Sequence, residues 1–156
     1  MIDEKKRIID VCCGSKMFWF DKDNPETIYN DSRKVSDVLC DGRKLEINPD
    51  TTNDFRNMPY PDNTFDLVIF DPPHLLNVGE TSWMAKKYGR LPEDWQPYIK
   101  DGFYECLRIL NPRGFLIMKW SERDIKTTDM LKAIGIQPLF GDKTGNKRWL
   151  IFGGRN

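Results

Sequence analysis

The chain has a single histidine, His74, and no pair of cysteines at metal-ligand spacing, so no metal site is expected from its own side chains. Its four cysteines, Cys12, Cys13, Cys40 and Cys106, lie in apolar runs, and adjacent Cys12 and Cys13 would point to opposite faces of a strand. Buried thiols in a reducing cytoplasm are expected rather than disulfides. No apolar run approaches the roughly 18 residues that a membrane helix needs, and the opening MIDEKKRIID lacks the apolar segment of a secretory signal. Internal repeats, low-complexity tracts and linkers are absent as well, which leaves one domain over residues 1–156. Net charge is zero, which argues against a strong nonspecific grip on duplex nucleic acid, since most of that affinity comes from neutralising phosphates. The zero conceals an asymmetry. Residues 1–80 hold 10 Lys/Arg against 16 Asp/Glu and residues 81–156 hold 14 against 8, so the halves carry −6 and +6. This is either a solvated surface with a chance imbalance or a local basic face.

What is present is an alternation of strand and helix patterns. Arg7 to Cys12 (RIIDVC) is a short β-branched run closed by Cys13 and Gly14, the signature of a buried central strand and a turn. Thr27 to Asn30 and Leu45 to Ile47 are shorter strand patterns, and Asp66 to Phe70 (DLVIF) is the clearest one, stopped by Pro72 and Pro73. Between Glu93 and Leu110, the residues Trp95, Ile99, Phe103, Cys106, Leu107 and Leu110 recur at helical spacing. The turn NPRG follows, then a strand from Phe115 to Trp120, a second helix from Asp124 to Ile134 ending at Gly135, and a closing hairpin of Leu139 to Phe140 with Trp149 to Phe152. The pattern predicts an α/β, Rossmann-like domain: a mostly parallel sheet with helices on both faces and an antiparallel hairpin at its C-terminal end. Such sheets bind ligands beyond the carboxyl ends of their strands, where Asp31, Asp71 and Trp120 should converge.

Four segments carry chemistry. In IIDVCCGSK, Asp10 stands near a strand end and Cys12, Cys13, Gly14 and Ser15 form a tight turn whose backbone a ligand can approach at Gly14. A generic buried turn explains that segment about as well, because Lys16 stands where a G-x-G-x-x-G pattern has its second glycine. In IYNDSR, Asp31 follows the second strand by the spacing at which nucleotide-binding folds place an acid on the ribose hydroxyls, although a surface turn would also favour Asp. Asp54 is a third acid, a candidate for holding an adenine amine, with Phe55 packing on the ring. The most specific segment is FDPPH, in which Asp71, Pro72, Pro73 and His74 follow the best strand directly.

The run FDPPH resembles the D/N-P-P-Y/F motif of amino-methyltransferases that act on adenine, cytosine or guanine. The order IIDVCCGSK, IYNDSR, DFRNMPYPDNTFDLVIFDPPH and ECLRILNPRGFLIMKW resembles class I S-adenosylmethionine-dependent methyltransferases over most of the chain, and more narrowly the short ones of phages and prophages. The resemblance implies a seven-stranded sheet, S-adenosylmethionine as cofactor and methyl transfer to an exocyclic amine of a nucleobase, in DNA first and RNA second. Two residues depart from the pattern: Lys16 replaces a glycine, and His74 replaces Tyr or Phe.

The residues agree with that chemistry. An aromatic amine is a poor nucleophile because its lone pair is delocalised. The Asp71 carboxylate and the Pro72 carbonyl can accept its two hydrogens and localise that lone pair, in a turn that Pro73 stiffens and that offers acceptors only. His74 either stacks on the acceptor base or hydrogen-bonds to it, and its ring would be charged near neutral pH if left unperturbed. A base inside duplex DNA would first have to be flipped out. Trp83, Lys86, Lys87, Tyr88 and Arg90 form a basic, aromatic stretch that suits either a nucleic-acid backbone or a cover over the cofactor. Lys119 and Trp120 are further candidates for the pocket wall. Other readings stay open: a protein amide or small molecule as acceptor, or a binding module without turnover. A monomer or a homodimer is equally compatible.

Overall fold

The computed structural model describes residues 3–79 and 81–155. Its main sheet has seven strands in the order β5-β2-β1-β6-β7-β9-β8: β5 Thr51–Thr52, β2 Thr27–Asp31, β1 Ile8–Asp10, β6 Phe65–Phe70, β7 Leu110–Ser121, β9 Lys147–Gly153 and β8 Phe140–Thr144. The first five are parallel neighbours, and β9 and β8 close the sheet antiparallel. This is the α/β sheet that the alternation of patterns predicts. Its centre is the apolar run of β6, in which Phe65, Val68 and Phe70 are fully buried.

Helix α2 (Trp95–Ile109) crosses from β6 to β7 and α3 (Thr127–Ile134) from β7 to β8. The Tyr104 hydroxyl donates to the Ile134 carbonyl at 3.1 Å, tying the two helices together over one face of the sheet. Between them and the strands lie Ile99, Phe103, Cys106, Leu116, Met118, Trp120, Met130 and Ile134, all at 0% exposure, which is where hydrophobic burial concentrates. A run of turns, residues 11–26, makes the β1 to β2 connection, and Trp19 from that run packs edge-on against Tyr29 at 5.0 Å.

Several boundaries differ from the expectation for physical reasons. The NPRG segment does not separate helix from strand, because β7 begins at Leu110 and carries the segment as an irregularity in its pairing with β6. Gly114 fits there because a Cβ would collide with the Asp66 carbonyl. The Leu45 to Ile47 strand exists, but as part of β4 (Lys44–Ile47), which pairs antiparallel with β3 (Val35–Val38) in a separate hairpin. That hairpin has its own small core of Leu39, Leu45 and Ile47. A six-residue helix, α1 (Trp83–Tyr88), follows β6, its N-terminus capped by the Ser82 hydroxyl accepting from the Ala85 N–H at 3.1 Å.

Candidate active site

A cavity of about 650 Å³ opens beyond the carboxyl ends of β1, β2, β6 and β7. Cys12, Cys13, Gly14 and Ser15 line it from the turn after β1, Asp31 from the end of β2, and Asp71, Pro72, Pro73 and His74 from the turn after β6. The parallel strands β1 and β6 lie where the strand order reverses, and this brings these distant segments together, as the location rule for open α/β sheets predicts.

At one end, the Asp31 Oδ2 accepts the Gly14 N–H at 2.9 Å and its Oδ1 accepts the Arg33 N–H at 3.0 Å. Each carboxylate oxygen has capacity left for another donor. Gly14 sits at φ 52°, with open space where a Cβ would be. Lys16 adopts φ 59°, the left-handed conformation a glycine would take more cheaply, by about 1 kcal/mol. Its side chain is drawn out of the cavity: Nζ donates to the Lys22 carbonyl at 2.9 Å and lies 4.2 Å from the Tyr29 ring centroid. The departure from the glycine pattern therefore leaves the turn's shape and the cavity free.

Phe55 reaches the cavity wall and packs edge-on against Phe70 at 5.2 Å and Tyr98 at 5.0 Å. Gly102 in the middle of α2 makes room for it, since a Cβ there would come within 2.5 Å of the Phe55 ring. Asp54 does not join it. Its carboxylate is paired with Arg56 at 2.7 Å and opens onto a separate surface depression, so the expected acid for an adenine amine is turned away from the cavity. The guanidinium holds the Asp54 carboxyl below the usual carboxylate range. Asp10 also stands back from the cavity wall. It is fully buried and accepts from the Trp19 indole N–H at 2.8 Å and from the Cys12 N–H at 3.3 Å. Burial dominates over these bonds and raises its pKa to about 7.

Asp71 is a quarter exposed to the cavity, 3.9 Å from Lys119 Nζ. Desolvation raises its pKa to about 6, against the opposing pull of Lys119 and Lys147. His74 lies beside Tyr88, ring centroids 6.1 Å apart. Burial, reinforced by the positive charge of Lys119, lowers its pKa to about 4, so the ring is neutral at pH 7 rather than charged. The chain after it is fixed by the Asp124 Oδ2, which accepts from the Leu76 and Asn77 N–H groups at 2.7 and 3.0 Å.

The basic, aromatic stretch divides. Trp83 lies under the Arg43 guanidinium at 5.2 Å and Lys86 Nζ is 3.9 Å from Asp37, so both anchor α1 to the β3–β4 hairpin. Lys87, Tyr88 and Arg90 face the cavity instead. Gly89 brings this segment close to the catalytic candidate turn, because a Cβ there would lie 3.2 Å from Pro73. Arg33 ties the cover down, donating to the Lys86 and Lys87 carbonyls at 2.6 and 3.3 Å. Trp120 is core: it is fully buried and its indole N–H donates to the Ile125 carbonyl at 3.0 Å.

The motifs gave no warning of Tyr98, Arg33, Phe18 or the β8–β9 turn as site elements. Tyr98, half-buried three residues after Trp95, stands at the edge of the apolar stripe of α2, and the turn reaches the cavity because β9 pairs with β7.

No protein-family model matches the chain, and no curated protein matches it. Solved structures do. The PH0226 protein of Pyrococcus horikoshii OT3 is 15% identical, with 95% of this chain and 81% of that chain covered at a TM-score of 0.58. A TehB-like SAM-dependent methyltransferase from Corynebacterium glutamicum is 14% identical over 99% and 83% of the two chains, TM-score 0.55. For a SAM-dependent methyltransferase of Leishmania major the values are 13% identity, 93% and 63% coverage, and 0.54. The fold is thus the Rossmann-like one of class I SAM-dependent methyltransferases, a seven-stranded sheet with antiparallel strands at its C-terminal edge. Among the described residues no helix is long and apolar enough to cross a membrane, and no group of three or more His, Cys, Asp or Glu is placed to hold a metal ion.

Proposed function

We propose that this protein is an enzyme that transfers a methyl group from S-adenosylmethionine to an exocyclic amine of a nucleobase, adenine or cytosine, in DNA first and RNA second. One observation carries the reading: the Asp71-Pro72-Pro73-His74 turn and the Gly14–Asp31 turn line the same cavity at the carboxyl edge of the sheet. The cavity has the size of a cofactor site. The free acceptor capacity of Asp31 suits the two ribose hydroxyls, the open space at Gly14 suits close backbone approach, and Phe55 with Tyr98 suits the adenine ring.

When bound, the cofactor supplies a sulfonium methyl as electrophile. Asp71 and the Pro72 carbonyl accept the hydrogens of the acceptor amine and localise its lone pair. The gain comes from orientation and from acceptors already in place, since the proline turn has little freedom to lose. His74, neutral and planar, stacks on the acceptor base. The cover that Arg33 ties down, packed on Pro73 at Gly89, forms part of the cavity wall.

Incubating the purified chain with methyl-labelled S-adenosylmethionine and separate pools of DNA, RNA and protein tests the reading. Label in DNA, or in RNA, at a base amine is the expected result. Label in protein alone would replace the acceptor class, and cofactor binding without label in any pool would leave a binding module.

A further inference from the structure

The acceptor end of the cavity is built from donors. Lys119 and Ser121 are two apart on β7 and so project to the same face of the sheet. Register places Ser121 opposite Lys147 on β9 and Lys147 opposite Thr144 on β8, which sets a serine, a lysine and a threonine side by side across three strands. Arg123 follows in the turn after β7. All five line the cavity, and so does the β8–β9 turn at Gly145 and Asn146.

Acids that would neutralise this group are engaged elsewhere. Glu122 pairs with Arg148 at 3.6 Å and accepts the Thr127 N–H at 3.1 Å. Asp124 holds the backbone after His74. Asp71 is the acid nearest Lys119, at 3.9 Å, and among the described residues neither Arg123 nor Lys147 has an acidic partner within 4.0 Å. Three cations therefore face the Asp71 carboxylate, and the other acid nearby, Asp124, is engaged by the backbone after His74. The field reaches two side chains beside it: Lys119, Arg123 and Lys147 push His74 toward its neutral form against the opposing charge of Asp124, and Lys119 and Lys147 oppose the rise at Asp71.

We infer that Lys119, Ser121, Arg123, Thr144 and Lys147 form an anion subsite that takes a phosphate of the acceptor, next to the Asp71 turn that takes its amine. The inference rests on the methyl-transfer reading only for the word acceptor; the subsite itself stands on its donors. Phosphate suits them because it presents several oxygens to cations, hydroxyls and backbone N–H groups at once. A cationic acceptor such as a protein amine would be repelled, and a neutral protein amide would leave the lysines unused. Phosphate reaches the site either as the monoester of a free nucleotide or as the diester of a single strand.

The test uses the full chain saturated with S-adenosylhomocysteine, titrated calorimetrically with the four 2′-deoxynucleoside 5′-monophosphates, the matching nucleosides, and a short single-stranded oligonucleotide. At least one monophosphate, or the oligonucleotide, is expected to bind ten-fold or more tighter than its nucleoside, with an affinity that falls as salt rises. Lys147, exposed at the start of β9, is the residue to vary. Lys147→Glu should abolish the phosphate-dependent gain and Lys147→Arg should keep most of it, with S-adenosylhomocysteine affinity unchanged in both as the control for folding. A monophosphate signal identifies a free nucleotide as the source, and an oligonucleotide signal alone identifies a strand. Equal binding of nucleotide and nucleoside, or a full gain retained in Lys147→Glu, overturns the subsite even if DNA is methylated. Phosphate-dependent binding without methyl transfer to any nucleotide or strand would uphold the subsite and overturn the catalytic reading instead.

Discussion

The Asp31 carboxylate accepts the Gly14 N–H at 2.9 Å, so the end of β2 and the turn after β1 are fastened by one side chain. In the proposed site the same carboxylate serves the ribose hydroxyls. Asp31→Ala should weaken S-adenosylmethionine binding by on the order of 1 to 3 kcal/mol, because two partly buried hydrogen bonds disappear and the turn loosens. Calorimetric titration measures it, with a thermal melt to confirm folding. Wild-type affinity in a folded variant would place the ribose elsewhere.

In the proposed mechanism Asp71, with its pKa raised to about 6, accepts one hydrogen of the acceptor amine beside the Pro72 carbonyl and must be ionised to do so. The rate at low substrate should therefore fall about ten-fold per pH unit below 6 and level off above it. Asp71→Asn should lose nearly all transfer and keep cofactor affinity, since its partner is the acceptor rather than the donor. A pH profile of kcat/KM from 5 to 8 on both forms tests this. Wild-type turnover in Asp71→Asn would defeat amine activation by this residue.

Much of this arrangement is legible in the sequence, and the exceptions have physical reasons. The strand of Asp66 to Phe70 declares itself as a continuous apolar run stopped by two prolines, and the helix from Trp95 by its long, periodic apolar stripe. The β3–β4 hairpin does not, since Val35 and Leu45 give too short a pattern to separate a hairpin from a strand of the main sheet. Gly14, Asp31 and the Asp71 turn could be placed on one edge because parallel strands share a carboxyl end. Asp54 could not be oriented, because its neighbour Arg56 captures the carboxylate through a contact two residues away that no motif encodes. Of the basic wall only Lys119 stood out, at the end of a strand; Lys147 was hidden in the charge excess of the second half of the chain, and strand register brings it to the same cavity.

Asp10 gives the protein a stability that declines with pH. Its folded pKa of about 7 lies above the ordinary value of 3.8, so the folded chain keeps a proton that the unfolded chain releases. Stability is greatest below the unfolded value and is lost as pH rises through about 7, by roughly 2 to 3 kcal/mol between pH 5 and 8. Asp10→Asn removes this dependence while leaving an oxygen to accept from Trp19. Urea unfolding of both proteins at pH 5 and 8, without cofactor, isolates the contribution, because the other groups cancel in the comparison. A wild-type protein that gains stability relative to the variant at pH 8 would contradict the assignment.

His74, in the turn after β6, is neutral at pH 7, held so by burial and by Lys119. A neutral ring can be replaced by another without removing a charge. His74→Phe should therefore keep most activity and leave the pH profile unchanged, whereas His74→Ala should lose the roughly 1 to 3 kcal/mol that base stacking contributes. The contrast separates stacking from hydrogen bonding. If the imidazole instead donates to or accepts from the acceptor, Phe fails about as badly as Ala, because a polar partner is left unpaired in a dry site. Single-turnover rates on a single-stranded and a duplex oligonucleotide decide between them. They also report on access: a base that must leave a duplex stack costs unstacking energy, so the single strand should react faster in the wild type and in His74→Phe alike. Faster reaction on the duplex would shift recognition from the base to the duplex around it.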